Sequence, residues 1–253
     1  MSAARDDWNQ HWHAYSETAE QNPAQNYRRE LIMSLLGIAG TGEGARILDI
    51  GSGQGDMAAA LHRQFPAARI VGLELSQTGV DISRRKVPQA RFVQKDLLDP
   101  SPPSEDLRNW ANYAVCSEVI EHLDGPSRLL MNARAYMERG CSLVLTAPGG
   151  PMSAFDKHIG HRKHWQHREI EQLLSEAGYV PEVVRGVGFP FFNLYRCVVI
   201  LRGKKLIEDV GLGPHASTSW TARAAMAVFN VLIRPNLNLS RGGWQMVARA
   251  RAV

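Results

Sequence analysis

The segment with the clearest chemical signal is a glycine-rich turn that follows a short apolar run. It reads Ile47-Leu-Asp-Ile-Gly-Ser-Gly-Gln-Gly55, and glycines at such a turn let the backbone bend sharply and let a ligand approach closely. Glu74 ends the next apolar run, 19 residues after Gly55. A carboxylate at that point can bind both ribose hydroxyls of a nucleoside. The spacing therefore predicts a nucleoside-binding site rather than a turn that only joins a strand to a helix.

Asp49 indicates which kind of nucleoside cofactor would fit. A dinucleotide fingerprint reads Gly-x-Gly-x-x-Gly, whereas this turn reads Gly-x-Gly-x-Gly and has Asp49 two residues before its first glycine. A carboxylate there repels a pyrophosphate and suits a cofactor that carries an ammonium group. The same difference disfavours a nicotinamide-dependent oxidoreductase.

Polar groups also follow the next two predicted strands. Asp96 could accept a hydrogen bond from an adenine amino group and Leu97 could offer its backbone N–H to the ring, although a plain surface-loop acid is the alternative. The segment Ser117-Glu-Val-Ile-Glu-His122 is predicted to open a helix. On one helix its two glutamates and its histidine would share a face, next to the reactive end of the cofactor.

These side chains could supply a base or hold a metal. His122, with Glu118, is the first candidate for a catalytic base, and His161 in the imidazole-rich loop after the fifth strand is another. Together with Glu121 they offer carboxylate and imidazole ligands for a divalent metal. We favour the metal-free interpretation, because three ligands from one helix need a fourth whose position the sequence does not fix. The loop is then an acceptor-binding lid.

The elements that position these residues follow an alternating pattern. Between residues 46 and 185, short apolar runs alternate with helical patterns, which is typical of βαβ units and a mostly parallel sheet. The predicted strands are 46–50, 69–73, 91–94, 113–116, 142–146, 180–185 and 244–250, and the predicted helices are 26–36, 54–64, 77–85, 127–138, 168–177, 194–201 and 221–234. We predict one domain, with an N-terminal helical segment (1–40), a cofactor-binding core (41–188), a helical insertion (189–240) and a final strand (241–253).

In order and spacing, these motifs resemble the class I S-adenosylmethionine-dependent methyltransferases over about residues 25 to 185 and the final strand. The resemblance implies an α/β fold with a Rossmann-like, seven-stranded, mostly parallel sheet in the order 3-2-1-4-5-7-6 and helices on both faces. It implies S-adenosyl-L-methionine as the cofactor, bound across the carboxyl ends of the first four strands. The cofactor-binding residues that it implies are Arg28, Asp49, Gly51, Gly53, Gly55, Glu74, Leu75, Asp96, Leu97 and Ser117.

The resemblance implies methyl transfer to a small, hydrophobic metabolite, with oxygen favoured as the accepting atom. One alternative is a metal-assisted RNA ribose 2′-O-methyltransferase, because Glu-x-x-Glu-His followed by His161 resembles the small-RNA ribose 2′-O-methyltransferases and some ubiquinone-pathway O-methyltransferases. A nucleic-acid partner is disfavoured because no basic stripe with interleaved aromatics is visible. Another alternative is a non-catalytic S-adenosylmethionine-binding partner protein.

Composition sets the remaining expectations. The 253 residues are 44% hydrophobic and 21% charged, with three cysteines and a net charge of +4, which is typical of a globular chain in a reducing compartment. We expect a cytoplasmic protein, since no signal peptide or membrane-spanning run is visible. The insertion could cover the sheet, form a homodimer face, roof the acceptor pocket with Trp8, Trp12 and Tyr15, or contact an anionic membrane beside Arg202-Gly-Lys-Lys205. The sequence leaves these four roles open.

Overall fold

A computed structural model describes residues 23–203, 220–233 and 242–253, and residues 220–225 by their backbone alone. The expectations that rest on Trp8, Trp12, Tyr15, Lys204 and Lys205 lie outside the described residues. The strands are β1 (Arg46–Ile50), β2 (Arg69–Glu74), β3 (Arg91–Gln94), β4 (Ala111–Ser117), β5 (Met137–Pro148), β6 (Tyr179–Val187) and β7 (Gln245–Ala252). The helices are α1 (Pro23–Leu36), α2 (Asp56–Gln64), α3 (Gln77–Lys86), α4 (Pro126–Ala133), α5 (Ala154–His158), α6 (His167–Glu176), α7 (Phe191–Leu201) and α8 (Trp220–Leu232).

The strands form one seven-stranded sheet in the order β3-β2-β1-β4-β5-β7-β6. The pairs among β1 to β5 are parallel, and β7 runs antiparallel to both β5 and β6. The predicted fold class and strand order are thereby confirmed. The strand order reverses between β1 and β4, and in open α/β sheets a crevice for ligands opens at the carboxyl ends of the strands on either side of such a point.

Burial on both faces explains why β1 forms the centre of the sheet. Ile47, Leu48 and Ile50 are fully buried, and they contribute to apolar clusters on opposite sides of the sheet. A parallel strand covered by helices on both faces needs such a continuous apolar run. The helix α2 covers one of these faces with Ala58 and Leu61, so the turn between β1 and α2 is held by packing at both ends.

Two sequence-based helix predictions are wrong. The helix expected over 127–138 ends at Ala133, a 3-10 turn follows, and Met137 already begins β5 and pairs with Ala111 of β4. Trp110 N donates to Tyr136 O at 2.8 Å. This pairing between strands outweighs local helix propensity. The helix expected from Glu118 is a 3-10 turn of only three residues, Ile120–His122.

Within the described residues, no helix combines the length and apolar character needed to cross a lipid bilayer.

The close contact between β2 and β3 gives a test of this packing. A Cβ on Gly72 would lie 2.5 Å from Phe92 Cδ1 and 2.8 Å from Ser52 Oγ. We therefore expect Gly72→Ala to lower the free energy of unfolding by about 1–3 kcal/mol, as overpacking of a core does. Gly125→Ala is the control, because no atom lies within 4 Å of its Cβ and its φ of −127° suits any residue. Equal stability of the two variants in urea unfolding would contradict this account.

Candidate functional site

The glycine turn has the backbone geometry that its sequence predicts. Gly51, Gly53 and Gly55 have φ values of 69°, 55° and 83°, a region that side chains with a Cβ rarely adopt. A Cβ on Gly51 would also lie 2.6 Å from Val119 Cγ2. The N–H groups of Gly51 and Ser52 both donate to the carbonyl of Leu73, at 2.8 and 3.1 Å. The turn is therefore fixed against the carboxyl end of β2.

Glu74 holds this turn directly. Its carboxylate is buried. Oε2 accepts a hydrogen bond from Gly53 N and Oε1 accepts one from Ser76 N, each at 2.9 Å. Ser76 in turn caps α3, because its hydroxyl accepts from Gly79 N. A carboxylate oxygen accepts more than one hydrogen bond, so these contacts leave the predicted ribose role of Glu74 chemically open and add a structural one.

Asp49 is a buried acid whose second oxygen lacks a partner. Only 2% of the residue is exposed, and Oδ2 accepts no hydrogen bond among the described residues. Burial raises the pKa of Asp49 to about 7, with repulsion from Glu74 and then Asp56 adding to the shift. A cation placed at Oδ2 would offset both the burial of the Asp49 charge and its repulsion by Glu74 and Asp56. This unpartnered oxygen therefore fits a cofactor that carries an ammonium group.

The other predicted cofactor residues line the same strand ends. Asp96 Oδ1 accepts from Leu98 N at 2.9 Å, which shapes the loop after β3. Leu97 is buried. Leu75 is 37% exposed at the end of β2. The hydroxyl of Ser117 lies 3.0 Å from the hydroxyl of Thr146 and so joins β4 to β5.

Glu118 does not share with Glu121 and His122 the helical face that the sequence predicts. Its φ of 56° is positive and its N–H donates to Thr146 O at 3.0 Å, so the sheet pairing continues past β4. Its carboxylate lies 3.5 Å from Arg28 Nη1 and accepts from Gln245 Nε2 at 3.0 Å. The predicted shared helical face is therefore wrong. Glu118 instead joins α1 and β7 to the end of β4.

Glu121 and His122 lie deeper beside this strand end. Glu121 is fully buried, and neither of its carboxylate oxygens has a hydrogen-bond partner among the described residues. Burial raises the pKa of Glu121 well above its usual value, and Glu118 adds to the shift. His122 Nε2 lies 3.9 Å from Glu121 Oε1. An acid in this setting keeps its proton until a cation or a proton acceptor reaches it.

Three imidazoles meet at this point, and hydrogen bonds define the tautomers of two of them, His161 and His164. His164 Nδ1 donates to the Gly150 carbonyl at 3.0 Å, and burial lowers the pKa of His164. In the neutral ring, Nε2 must then accept, so His161 Nδ1 donates to it at 3.3 Å. Burial lowers the pKa of His161 to about 4. His161 is therefore neutral, with an unprotonated Nε2. Its ring packs edge to face on that of His122, with 4.8 Å between the ring centroids.

Asp156 and Arg196 form an ion pair next to His164. Arg196 of α7 donates to Asp156 Oδ2 at 2.7 Å. Burial opposes ionisation of Asp156, but the Arg196 bond and charge outweigh it, and its pKa lies below the usual value. His164 Nε2 lies 3.8 Å from the same oxygen. The sequence did not identify Arg196 or Gln245 as site residues, and a Ser-x-x-Asp capping box at Ser153 was the only local signal for Asp156.

Within the part of the chain that the structure describes, two groups of side chains could hold a metal ion. The possible ligand atoms of Glu121, His122 and His161 all lie within 4.8 Å of one another. The same holds for Asp156, His161 and His164. Glu118 belongs to neither group. Carboxylate and imidazole donors fit a borderline divalent ion, and the unpartnered Glu121 carboxyl is the observation that favours the first group.

Comparison with known proteins agrees with this architecture. Residues 20–182 match a family model described as a methyltransferase domain. The chain belongs to this family, and it is a class I S-adenosylmethionine-dependent methyltransferase.

Its relatives include trans-aconitate 2-methyltransferases. That of Rhodopseudomonas palustris (strain BisB5) is 24% identical over 187 residues, which cover 71% of this chain and 68% of the relative. That of Variovorax paradoxus (strain S110) is 31% identical, over 70% of this chain and 60% of the relative. The structure of geranyl diphosphate C-methyltransferase from Streptomyces coelicolor A3(2), in complex with Mg²⁺, geranyl diphosphate and S-adenosyl-L-homocysteine, superposes with a TM-score of 0.57 at 17% identity. This match covers 90% of this chain and 81% of that one.

The raised pKa of Asp49 predicts a pH-dependent loss of stability. The unfolded chain ionises this carboxyl near pH 4, whereas the folded chain keeps the proton up to about pH 7. As the pH rises from 4 to 7, the free energy of unfolding of the wild type therefore decreases. In urea unfolding, Asp49→Asn should become more stable relative to wild type over this range, by on the order of a few kcal/mol, and the difference should be constant above it.

Glu43→Gln is the control, because Glu43 is exposed and lies away from the turn. Its stability should follow that of wild type at every pH. A constant difference between Asp49→Asn and wild type from pH 4 to 8 would show that Asp49 ionises normally in the folded protein.

Proposed function

We propose that this methyltransferase transfers the methyl group of S-adenosylmethionine to a hydroxyl oxygen of a small, largely uncharged acceptor, which His122 and His161 face. The observation that carries this proposal is the group of Glu121, His122 and His161, whose polar atoms lie within 4.8 Å of one another beside the end of β4. Ser117, the last residue of that strand, lies near the cofactor-binding turn. The cofactor and acceptor halves of the proposed site are thus adjacent.

The cofactor half would use the groups already described. The unpartnered Oδ2 of Asp49 suits the ammonium of the methionine moiety, and the positive-φ glycines allow its close approach. Glu74 would bind the ribose hydroxyls, with Asp96 and Leu97 at the adenine. Arg28 would bind the methionine carboxylate, for which it has to leave its 3.5 Å contact with Glu118.

The reaction is an in-line displacement at carbon. The acceptor oxygen forms a bond to the methyl carbon, the bond between that carbon and sulfur breaks, and S-adenosylhomocysteine leaves with the electron pair. The hydroxyl proton passes to an imidazole nitrogen. His122 is the proposed base, because its ring lies beside the end of β4 and next to the neutral His161. The neutral Glu121 carboxyl, 3.9 Å from His122 Nε2, can orient the ring.

The charge of this site favours a hydroxyl over a carboxylate acceptor. His161 is neutral and Glu121 resists ionisation, while the nearby arginines Arg28 and Arg196 already contact Glu118 and Asp156. A polyanion such as trans-aconitate would need unopposed cations. The low identity of the trans-aconitate methyltransferases, 24% and 31%, is compatible with a different acceptor. Methylation of oxygen is what we carry over from them.

Cofactor binding tests the first half of the proposal. Isothermal titration with S-adenosylhomocysteine should show binding to wild type, and Glu74→Ala should lower the affinity roughly 10- to 100-fold by removing charge-assisted hydrogen bonds. Gly53→Val should do likewise, because its positive φ excludes a branched side chain. Gly40→Ala is the matched control, since Gly40 has a φ of 53° and no atom within 4 Å of its Cβ. Full affinity in both site variants would refute the assignment.

The role of His122 is testable by steady-state kinetics. With a phenolic acceptor, His122→Ala should lower kcat by roughly 10²–10⁴-fold, as loss of a general base does, and leave S-adenosylhomocysteine affinity unchanged. His167→Ala is the control, because this half-buried histidine pairs with Glu171 and does not belong to the cluster. Activity that vanishes with a chelator and returns with a divalent ion would favour the metal-assisted alternative. An unchanged kcat of His122→Ala across the pH range would refute His122 as the general base. Methylation of trans-aconitate alone would refute the hydroxyl acceptor.

A further inference from the structure

Gln54 carries a buried hydrogen-bond acceptor inside the glycine turn. The residue lies between Gly53 and Gly55, which have φ values of 55° and 83°, and only 3% of it is exposed. Its side-chain oxygen, Oε1, accepts no hydrogen bond among the described residues. A buried polar atom without a partner is rare and costs free energy in the folded chain. Nothing in the described part of the chain offsets this cost at Oε1.

The other end of the Gln54 amide fixes its orientation. Nε2 donates to Asp56 Oδ2 at 2.9 Å, and Asp56 Oδ1 lies 2.6 Å from Lys86 Nζ. Because a carboxylate in an ion pair only accepts hydrogen bonds, the NH₂ group of Gln54 must be the one that faces Asp56. Both oxygens of Asp56 are thereby occupied, whereas Oε1 of Gln54 keeps its lone pairs for another donor.

The charges around the turn favour a cationic donor for this oxygen. Burial, and then the charges of Glu74 and Asp56, raise the pKa of Asp49, which shows that these carboxylates lie near one another. Glu74 also accepts a hydrogen bond from Gly53 N, next to Gln54 in the chain. A further acid in this turn would add to the repulsion between the carboxylates. The neutral amide of Gln54 adds an acceptor without adding charge.

We infer that Gln54 is a further cofactor-binding residue, whose Oε1 accepts a hydrogen bond from the ammonium group of S-adenosylmethionine beside Asp49. An ammonium group has three N–H donors and no acceptor, so it can donate to Asp49 Oδ2 and Gln54 Oε1 together. Both atoms are buried and unpartnered, and Gly51 and Gly53 between them in the chain have positive φ. The inference rests on the cofactor half of the proposed function and gives Gln54 a role in selecting a ligand that carries an amine.

Two ligands that differ only in the amine test this role. Isothermal titration compares S-adenosylhomocysteine with its deamino analogue, in which hydrogen replaces the amine, and wild type should bind S-adenosylhomocysteine more tightly. Gln54→Met keeps a similar length but has only a weakly accepting thioether. It should lower the affinity for S-adenosylhomocysteine roughly 10-fold or more, as loss of a hydrogen bond to a charged group does, and change that for the analogue by less than about twofold.

Gln172→Met is the matched control, because exposed Gln172 of α6 donates to Glu176 Oε1 at 2.7 Å, as Gln54 does to Asp56. It should bind both ligands as wild type does, and thermal unfolding should confirm that every variant is folded. If Gln54→Met does not fold, Gln54→Asn makes the same comparison, because it keeps the amide and withdraws its oxygen by one methylene group.

Three results would overturn the inference. An equal loss of affinity for both ligands would mean that the amide only shapes the turn. An unchanged affinity for S-adenosylhomocysteine would mean that Oε1 does not contact the ammonium group. A wild type that binds the two ligands equally well, or neither, would remove the ammonium site itself. Failure of the proposed hydroxyl methylation would instead appear in the kinetics of His122→Ala and would leave these affinities unaffected.

Discussion

The hydrogen bonds that Glu74 accepts are the constraint on which the glycine turn, and with it the proposed cofactor half of the site, depends. One carboxylate, at the end of β2, fixes the glycine turn through Gly53 N and the start of α3 through Ser76 N. Charge-assisted bonds of this kind are about twice as strong as neutral ones. Because the turn has three glycines at positive φ, its backbone loses more conformational freedom on folding than an ordinary turn does, and the hydrogen bonds to the buried carboxylate offset part of that cost.

The same anchor creates an electrostatic cost nearby. A second buried acid, Asp49, lies close enough for the Glu74 charge to raise its pKa, and its Oδ2 has no partner in the described part of the chain. In the apo protein this is unfavourable. A bound cation would remove this cost. The repulsion between the two acids in the protein without cofactor therefore favours binding of a positively charged cofactor. Stability without the cofactor and affinity for it are thereby opposed.

The glycine turn and the strand order could be predicted from sequence because their signals are local. Glycine spacing, the distance to Glu74 and the alternation of strands and helices all lie within one or two βαβ units, and the observed strand order agrees with them. The acceptor half is not local. Regular helical spacing wrongly placed Glu118 with His122, because the N–H of Glu118 pairs with Thr146 of β5. No sequence pattern links Arg196 to Asp156 or Gln245 to Glu118, which are brought together only by the fold.

These distant contacts indicate which elements position the residues of the proposed acceptor site. Arg196 of the insertion donates to Asp156 beside the histidine loop, and Gln245 of β7 donates to Glu118. None of the hydrogen bonds that fix the glycine turn involves these two elements. Substitutions in α7 can therefore reposition Asp156 and, through it, the His161–His164 pair without disturbing Glu74.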